Sequence, residues 1–314
     1  MASPPRVFDR KLLAVRRARA LRAARPGADF LLERVAEDLL DRFAAVTRHF
    51  DTAVEIAGPT PALAAELVAT GRIGRLFRLD WTAASRPDAV ADEEALPLAP
   101  ESIDLAVSVL SLHFANDLPG VFAQVRRALK PDGLFLAALL GGDTLTELRQ
   151  SLAEAEAEVT GGASPRVAPF AELRALGGLL QRAGFALPVI DQDRVTVRYA
   201  NALELMRDLR AMGAASALHE RSRKPLPRRV LLRAAAIYAE RFADPDGRIR
   251  ATFDIVSLSG WAPHASQQQP LKPGSATTRL ADALGAREQS AGERAISSPA
   301  KRGRGTAEGG GGGA

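Results

Sequence analysis

The sequence predicts an α/β protein with a doubly wound, mostly parallel sheet. Short apolar segments alternate with helical segments over the first half of the chain. The two strongest of these segments, residues 103–110 and 134–140, are almost entirely apolar, as expected for strands that are buried on both faces. Turn residues such as Lys130-Pro131-Asp132-Gly133 separate them from the helices. This pattern is typical of a sheet that helices cover on both sides.

Two helices are predicted before the sheet. The first mixes leucines with arginines and stops at Pro26-Gly27. Such a basic amphipathic segment fits a mitochondrial presequence or a folded leading helix, and Asp9 favours the folded helix because presequences are poor in acids. Residues 28–50 continue with apolar side chains at helical spacing. Residues 1–50 are therefore predicted to form a helical cap.

The sheet domain is assigned to residues 51–262. Strands are predicted at 52–56, 75–79, 88–91, 103–110, 134–140, 186–191, 194–199 and 249–258. Helices are predicted at 62–70, 117–129, 144–159, 170–184, 202–212 and 227–242, so that several helical additions follow the fifth strand. Residues 263–314 form a C-terminal extension, which we expect to be disordered from about residue 287 because it lacks core-forming side chains.

Composition excludes several classes of site. The 314 residues include no cysteine, which rules out disulfides and thiolate chemistry, and the four histidines lie too far apart to suggest a metal site. No apolar run reaches the ~20 residues of a membrane helix. The net charge of +5 comes from basic termini around an acidic body, so we expect no nucleic-acid partner. Contact of the basic first helix with a membrane surface stays open.

Candidate binding residues follow the predicted strands, because open α/β sheets bind ligands beyond the carboxyl ends of their strands. Asp80 ends the second strand, where a carboxylate can accept both hydroxyl hydrogens of a ribose; capping the next turn is the alternative. Asp92 and Glu93 follow the third strand. Asp92 is placed to accept a hydrogen bond from an adenine amino group, and a solvated loop acid is its alternative.

The loop after the first strand distinguishes two nucleoside-containing cofactors. A dinucleotide needs glycines and backbone N–H groups around its pyrophosphate. This loop has only Gly58, and Pro59 and Pro61 remove two N–H donors. S-adenosylmethionine carries no phosphate, so the loop favours it over a dinucleotide.

Three sequence motifs carry a resemblance. They are Ala91-Asp92-Glu93-Glu94-Ala95-Leu96-Pro97-Leu98, the segment 110–119 (LSLHFANDLP) and the segment 129–135 (LKPDGLF). In this order and spacing, the chain resembles the class I S-adenosylmethionine-dependent methyltransferases. The resemblance implies S-adenosyl-L-methionine as cofactor and a set of cofactor-binding residues, namely Glu55, Ala57, Gly58, Asp80, Asp92, Glu93, Ser108 and Leu110.

Further segments narrow the resemblance. They include Val7-Phe8-Asp9-Arg10, residues 141–149 (GGDTLTELR), residues 161–166 (GGASPR) and residues 260–264 (GWAPH). In these segments the chain resembles the mitochondrial complex I assembly factors described as protein-arginine hydroxylases, and their alphaproteobacterial relatives. The resemblance implies a protein substrate, with the iron–sulfur subunit of NADH dehydrogenase as the candidate partner. It also implies a bacterial cytoplasmic location, or the mitochondrial matrix in a eukaryote.

The first-strand motif departs from the superfamily pattern, and this departure leaves three functions open. Glu55 matches the usual acid, but Ala57, Pro59 and Pro61 stand where glycines are expected. The favoured function is an enzyme of complex I assembly, by methyl transfer or arginine hydroxylation. The second is the malonyl-acyl-carrier-protein O-methyltransferase of biotin synthesis. The third is a non-catalytic assembly chaperone that has lost the cofactor.

Two residues are candidates for the chemistry itself. His113 follows the fourth strand and is predicted to act as a base or to line the cofactor rim. Asp143 follows the fifth strand and is predicted either to pair with a substrate guanidinium or to cap the helix that begins beside it.

Overall fold

The computed structural model describes residues 6–267 and the isolated positions 282 and 285. Its strands are β1 (Phe50–Ile56), β2 (Ile73–Asp80), β3 (Ala89–Val90), β4 (Ile103–Val109), β5 (Leu129–Leu140), β6 (Ala186–Tyr199) and β7 (Ile249–Trp261). Its α-helices are α1 (Arg10–Ala23), α2 (Phe30–Ala44), α3 (Ala62–Ala69), α4 (Leu118–Ala128), α5 (Thr146–Thr160), α6 (Leu173–Arg182), α7 (Ala202–Ala211) and α8 (Arg228–Phe242). Short 3₁₀ turns follow β2, β3 and β4.

All of these strands belong to one sheet with the order β3-β2-β1-β4-β5-β7-β6. Neighbouring strands from β3 to β5 are parallel, whereas β7 runs antiparallel to both β5 and β6. The strand order reverses between β1 and β4, which is where such sheets bind ligands. The predicted doubly wound fold is therefore confirmed.

The two leading helices are packed parts of this unit. Helix α2 buries Leu31, Val35, Leu39 and Phe43 in the same core cluster as residues of β1, β4 and β5. The helix ends at Ala44, earlier than predicted, because Phe50 already pairs with Ile73 in the sheet. Helix α1 is folded as predicted. The division of the chain at residue 50 stays a prediction.

Two strand predictions need correction. The segments 186–191 and 194–199 form one continuous strand, β6, because Asp191, Gln192 and Asp193 stay paired with β7 despite their polarity. Strand β5 starts at Leu129 rather than 134, and the Pro-Asp-Gly turn lies within it as an irregularity opposite Ile103–Leu105.

The predicted disorder from about residue 287 lies outside the described residues, as does most of the extension from residue 263. In the part of the chain that the structure describes, no helix has the length and apolar character needed to cross a bilayer.

The packing of α2 predicts a large stability cost at Phe43. This side chain is fully buried, its ring centroid lies 5.7 Å from that of Phe50, and the Arg72 guanidinium lies 4.4 Å from its centroid. Truncation by Phe43→Ala should lower the free energy of unfolding by about 3–5 kcal/mol, measured by urea denaturation. The matched control is Val68→Ala on the exposed face of α3, which should change it by less than about 0.5 kcal/mol. Similar values for both variants would show that α2 is not part of the core.

Candidate functional site

A cavity of about 630 Å³ lies beside the carboxyl edge of the sheet. Residues at or just after the carboxyl ends of β1, β2, β4 and β5 form one side of it: Pro59, Thr60, Trp81, Leu110, His113 and Leu140. Its other walls come mainly from apolar side chains of the helices that precede the sheet and follow β5, including Leu13, Leu32, Leu148 and Met206. A largely apolar cavity with a few polar groups at the strand-order switch is the expected form of a small-molecule site.

Glu55 lies beneath the loop after β1 and supports it. Its carboxylate is fully buried, and Arg78 Nε donates to Glu55 Oε2 at 2.7 Å. Arg78 also donates to the carbonyl oxygen of Gly58 at 3.1 Å. An added Cβ at Gly58 would lie only 2.3 Å from the Glu55 carboxyl carbon, so a larger residue there would displace this buried carboxylate. Glu55 therefore shapes the loop and is not among the residues that line the cavity.

Asp80 is almost fully buried, at 1% exposure, and carries three polar contacts. The backbone N–H of Trp81 donates to Asp80 Oδ1 at 2.9 Å, and the Ser85 hydroxyl donates to Asp80 Oδ2. Arg17 Nη1, from α1, lies 3.5 Å from Asp80 Oδ1. Since a buried carboxylate needs such partners, Arg17 serves as the counter-ion of Asp80.

Asp92 and Glu93 share a second arginine from α1. Arg10 Nη2 lies 3.0 Å from Asp92 Oδ1, and Arg10 Nη1 lies 2.5 Å from Glu93 Oε1. Burial raises the pKa of Glu93, and Arg10 opposes that rise. The guanidinium groups of Arg10 and Arg17 lie 4.9 and 5.2 Å from the ring centroid of Trp81. Helix α1 thus pairs with all three predicted acids after β2 and β3.

The segment before α1 fixes that helix over the site. Asp9 caps α1 by accepting from the Leu12 N–H at 3.0 Å, and its own N–H donates to the carbonyl oxygen of Ala217 at 2.8 Å. Phe8 N–H donates to Asn116 Oδ1 at 2.7 Å, and Asn116 Nδ2 donates back to the Phe8 carbonyl oxygen at 3.3 Å. The Val7-Phe8-Asp9-Arg10 motif therefore holds α1 to the loop after β4.

The remaining predicted cofactor residues differ in what they contact. Ala57 and Leu110 both adopt positive φ angles, 56° and 45°, at the turns that leave β1 and β4. Leu110 lines the cavity, whereas Ala57 is buried and its N–H donates to the Leu79 carbonyl oxygen at 2.7 Å. Ser108 is fully buried and donates to the Ile56 carbonyl oxygen at 2.8 Å. Ser108 therefore joins β4 to β1.

His113 lines the cavity between the rings of Phe114 and Phe170. The N–H of Leu140 donates to His113 Nδ1 at 3.5 Å, which places the ring proton on Nε2, an atom that is buried without a partner. Burial, with a smaller effect from Arg17, lowers the pKa of His113 to about 3. A neutral imidazole with so low a pKa is a weak base but a competent hydrogen-bond donor. The geometry favours the rim interpretation of His113.

Asp143 lies on the surface, with its side chain 62% exposed, and is not among the cavity-lining residues. It pairs with Arg194 at 2.5 Å. The predicted helix cap at Asp143 is wrong: α5 begins at Thr146, its N-cap is Leu145 at φ 55°, and no side chain caps it. Glu147, in the first turn of α5, accepts a hydrogen bond from the N–H of Thr252 at 3.2 Å, because α5 packs on β7.

Among the described residues that line the cavity, one is acidic, and it is Asp29. It occupies the N-cap position of α2, yet its carboxylate makes no cap hydrogen bond and has no ion-pair partner among the described residues. Four arginines also line the cavity. Two of them have carboxylate partners, Arg17 with Asp80 and Arg166 with Glu156.

Sequence analysis missed several of these groups, namely Arg10, Arg17, Asp29, Arg78, Trp81 and Asn116. A signal exists for two of them, since Arg10 and Arg17 are seven residues apart and so share one face of a helix. The pairing of that face with Asp80 and Glu93 required the tertiary structure.

The strand order and the position of the cavity define the chain as a protein of the class I methyltransferase fold. A profile described as a methyltransferase domain matches residues 60–137. The crystal structure of the YcgJ protein from Bacillus subtilis is 12% identical, with a TM-score of 0.50, and covers 73% of this chain and 99% of its own. That likeness concerns the fold alone.

The curated relatives are more specific. Arginine-hydroxylase NDUFAF5, mitochondrial, from Danio rerio is 41% identical over 264 residues, covering 81% of this chain and 82% of that protein. The malonyl-[acyl-carrier protein] O-methyltransferase of Xylella fastidiosa is 40% identical over 172 residues, covering 55% of this chain and 56% of that protein. The chain therefore belongs to the family of arginine-hydroxylase NDUFAF5, within the S-adenosylmethionine-dependent methyltransferase superfamily.

The buried His113 predicts a loss of stability in acid. Its pKa lies at about 3, below the usual 6.5 of an unfolded chain, so the unfolded state binds a proton first as the pH falls through 6.5. Urea denaturation should show that acidification from about pH 7 to pH 5 costs about 2 kcal/mol at this site. His113→Gln should remove that loss, whereas the control His49→Gln, at an exposed histidine, should keep it. Equal acid sensitivity of wild type and His113→Gln would contradict the buried neutral state.

Proposed function

We propose that the chain binds S-adenosyl-L-methionine at the carboxyl edge of the sheet. The observation that carries the proposal is the nearly inaccessible Asp80 at the end of β2. Asp80 does not itself line the cavity, but its contact partners Arg17 and Trp81 do. Buried polar atoms without partners support it: Trp81 Nε1 and His113 Nε2 belong to cavity-lining residues, and Glu55 Oε1 lies beneath the loop. A ligand rich in hydrogen-bonding groups could supply the partners that these buried atoms lack.

Each residue has a defined part in this proposal. Asp80 accepts the two ribose hydroxyl hydrogens, Asp92 receives the adenine amino group, and His113 Nε2–H donates to the ligand. Glu93, paired with Arg10, and the buried Ser108 and Glu55 hold the surrounding loops and strands in place. The bound cofactor would supply a sulfonium-activated methyl group. The residues themselves orient the ligand and exclude water from it.

The proposed substrate is an arginine side chain of a protein involved in assembling respiratory complex I, as in the hydroxylases of this family. Asp29 supports this substrate class, because its unpartnered carboxylate lies on the wall of a mostly apolar cavity. A carboxylate there can receive a guanidinium through charge-assisted hydrogen bonds, while apolar walls contact the alkyl part of the side chain. The iron–sulfur subunit of NADH dehydrogenase is the proposed partner, and the proposed location is the compartment in which that enzyme is assembled.

A second candidate is methylation of a malonyl group on an acyl carrier protein. Arg25 and Arg210 favour it, since both line the cavity, are exposed and have no ion-pair partner among the described residues. A free carboxylate substrate would bind these arginines, whereas a guanidinium would bind Asp29. The two functions therefore depend on different residues of one cavity.

The cofactor proposal predicts an effect of Asp80→Asn. Calorimetric titration should show that wild type binds S-adenosylmethionine and that the variant binds about a hundredfold more weakly, since two hydrogen bonds to a charged acceptor are lost. Asp51→Asn is the matched control, because Asp51 is 82% exposed at the opposite end of β1. A folded wild type without affinity for the cofactor would refute the proposal and favour an assembly chaperone.

The substrate proposal predicts that Asp29 distinguishes arginine from its neutral isostere. A synthetic peptide of the iron–sulfur subunit should bind wild type more tightly than its citrulline copy by about tenfold or more. Asp29→Asn should abolish this preference, and Asp41→Asn, at another exposed carboxylate of α2, should retain it. Mass spectrometry of the treated subunit then separates hydroxylation, which adds one oxygen atom, from methylation, which adds a methylene group. A preference for the arginine peptide that is unchanged in Asp29→Asn would exclude this role of Asp29.

A further inference from the structure

The loop between β1 and α3 has few free backbone donors. Pro59 and Pro61 have no N–H group, and the N–H of Ala57 is already bonded to the Leu79 carbonyl oxygen. The N–H groups of Gly58 and Thr60 are the others available in residues 57–61. Any anionic part of a ligand at this loop therefore needs a donor from elsewhere in the protein.

Helix α1 places a guanidinium at this loop. Arg17 is 8% exposed and donates through Nη2 to the Ala57 carbonyl oxygen at 2.9 Å. Through Nη1 it donates to Ser111 Oγ at 3.1 Å, in the turn after β4. Arg17 also lines the cavity together with Pro59 and Thr60. Its guanidinium thus stands between the turns that follow β1 and β4, close to the loop that lacks donors.

The contact between Arg17 and Asp80 is the one that a ligand can most readily replace. At 3.5 Å it is longer than the other two contacts of Arg17. Asp80 also keeps two further donors, the Trp81 N–H and the Ser85 hydroxyl. If a ligand took the place of Arg17 at Asp80, the carboxylate of Asp80 would therefore still be hydrogen-bonded. It would also release a guanidinium that must find a new anionic partner, because an unpaired buried charge is costly.

We infer that Arg17 binds the carboxylate of the amino-acid part of the cofactor and so replaces the N–H donors that Pro59 and Pro61 remove. This inference rests on the proposed cofactor. When the ligand enters, its ribose hydroxyls take the place of Arg17 at Asp80, and the guanidinium turns to the ligand carboxylate. Both buried charges keep a partner throughout the exchange. A planar guanidinium suits this task because it can bind a carboxylate through two parallel hydrogen bonds.

The test compares two ligands, of which only one has the amino-acid part with its carboxylate. S-adenosylhomocysteine carries the amino-acid part, and 5′-methylthioadenosine lacks it. Calorimetric titration should show that Arg17→Gln weakens binding of S-adenosylhomocysteine by about ten- to hundredfold. Binding of 5′-methylthioadenosine should not weaken, since in wild type this ligand displaces Arg17 from Asp80 without supplying a new anionic partner. Arg22→Gln, in the last turn of the same helix and exposed, is the matched control and should leave both affinities unchanged.

The outcomes are separable. If Arg17→Gln weakens both ligands equally, or neither, Arg17 does not bind the carboxylate. If it tightens both, Arg17 is a competitor that blocks the site, and the inference is wrong. If wild type binds neither ligand, the cofactor proposal fails before this inference is reached. Arg17→Lys covers the case in which Arg17→Gln folds poorly: it keeps the charge without the planar fork, and it should retain part of the preference for S-adenosylhomocysteine.

Discussion

The site depends on the pairing of buried carboxylates with arginines at one edge of the sheet. Glu55 lies near the end of β1, Asp80 ends β2 and Glu93 comes shortly after β3, and each is no more than 1% exposed. Carboxylates cannot remain charged in such surroundings without counter-ions and hydrogen bonds. Arg78 from β2 pairs with Glu55, whereas Asp80 and Glu93 take their arginines from α1. The edge of the sheet is therefore incomplete without the leading helix.

This dependence explains the sequence that precedes the sheet. The Val7-Phe8-Asp9-Arg10 motif caps α1, ties it to Asn116 and supplies the arginine that neutralises Glu93. A helix with these contacts completes the carboxyl edge of the sheet. Helix α2 also connects the sheet with the cavity. One face of this helix packs in the core against the sheet, and Asp29 at its amino end lines the cavity.

The site has two parts, one on the sheet and one on the helices added to it. Residues at the carboxyl edge lie on the fold that all class I methyltransferases have in common. The opposite walls come from α1, α2, α5 and α7 and from the loop around Arg166, which are the additions before the sheet and after β5. In the proposed function, cofactor recognition would belong to the sheet and α1, and substrate recognition to α2, α5, α7 and the loop around Arg166. This agrees with the general rule that sites, rather than folds, determine function.

The fold class and most elements could be predicted from the sequence, because buried parallel strands appear as apolar runs and turns have distinct residues, as at residues 103–110 and 130–133. The sequence also indicated Asp80 and His113, since the carboxyl ends of such strands form the site. The exposure of Asp143 and the contact between Arg17 and Asp80 became visible only in the folded chain. Such contacts join residues far apart in the chain, and local patterns carry no information on which distant group a polar side chain meets.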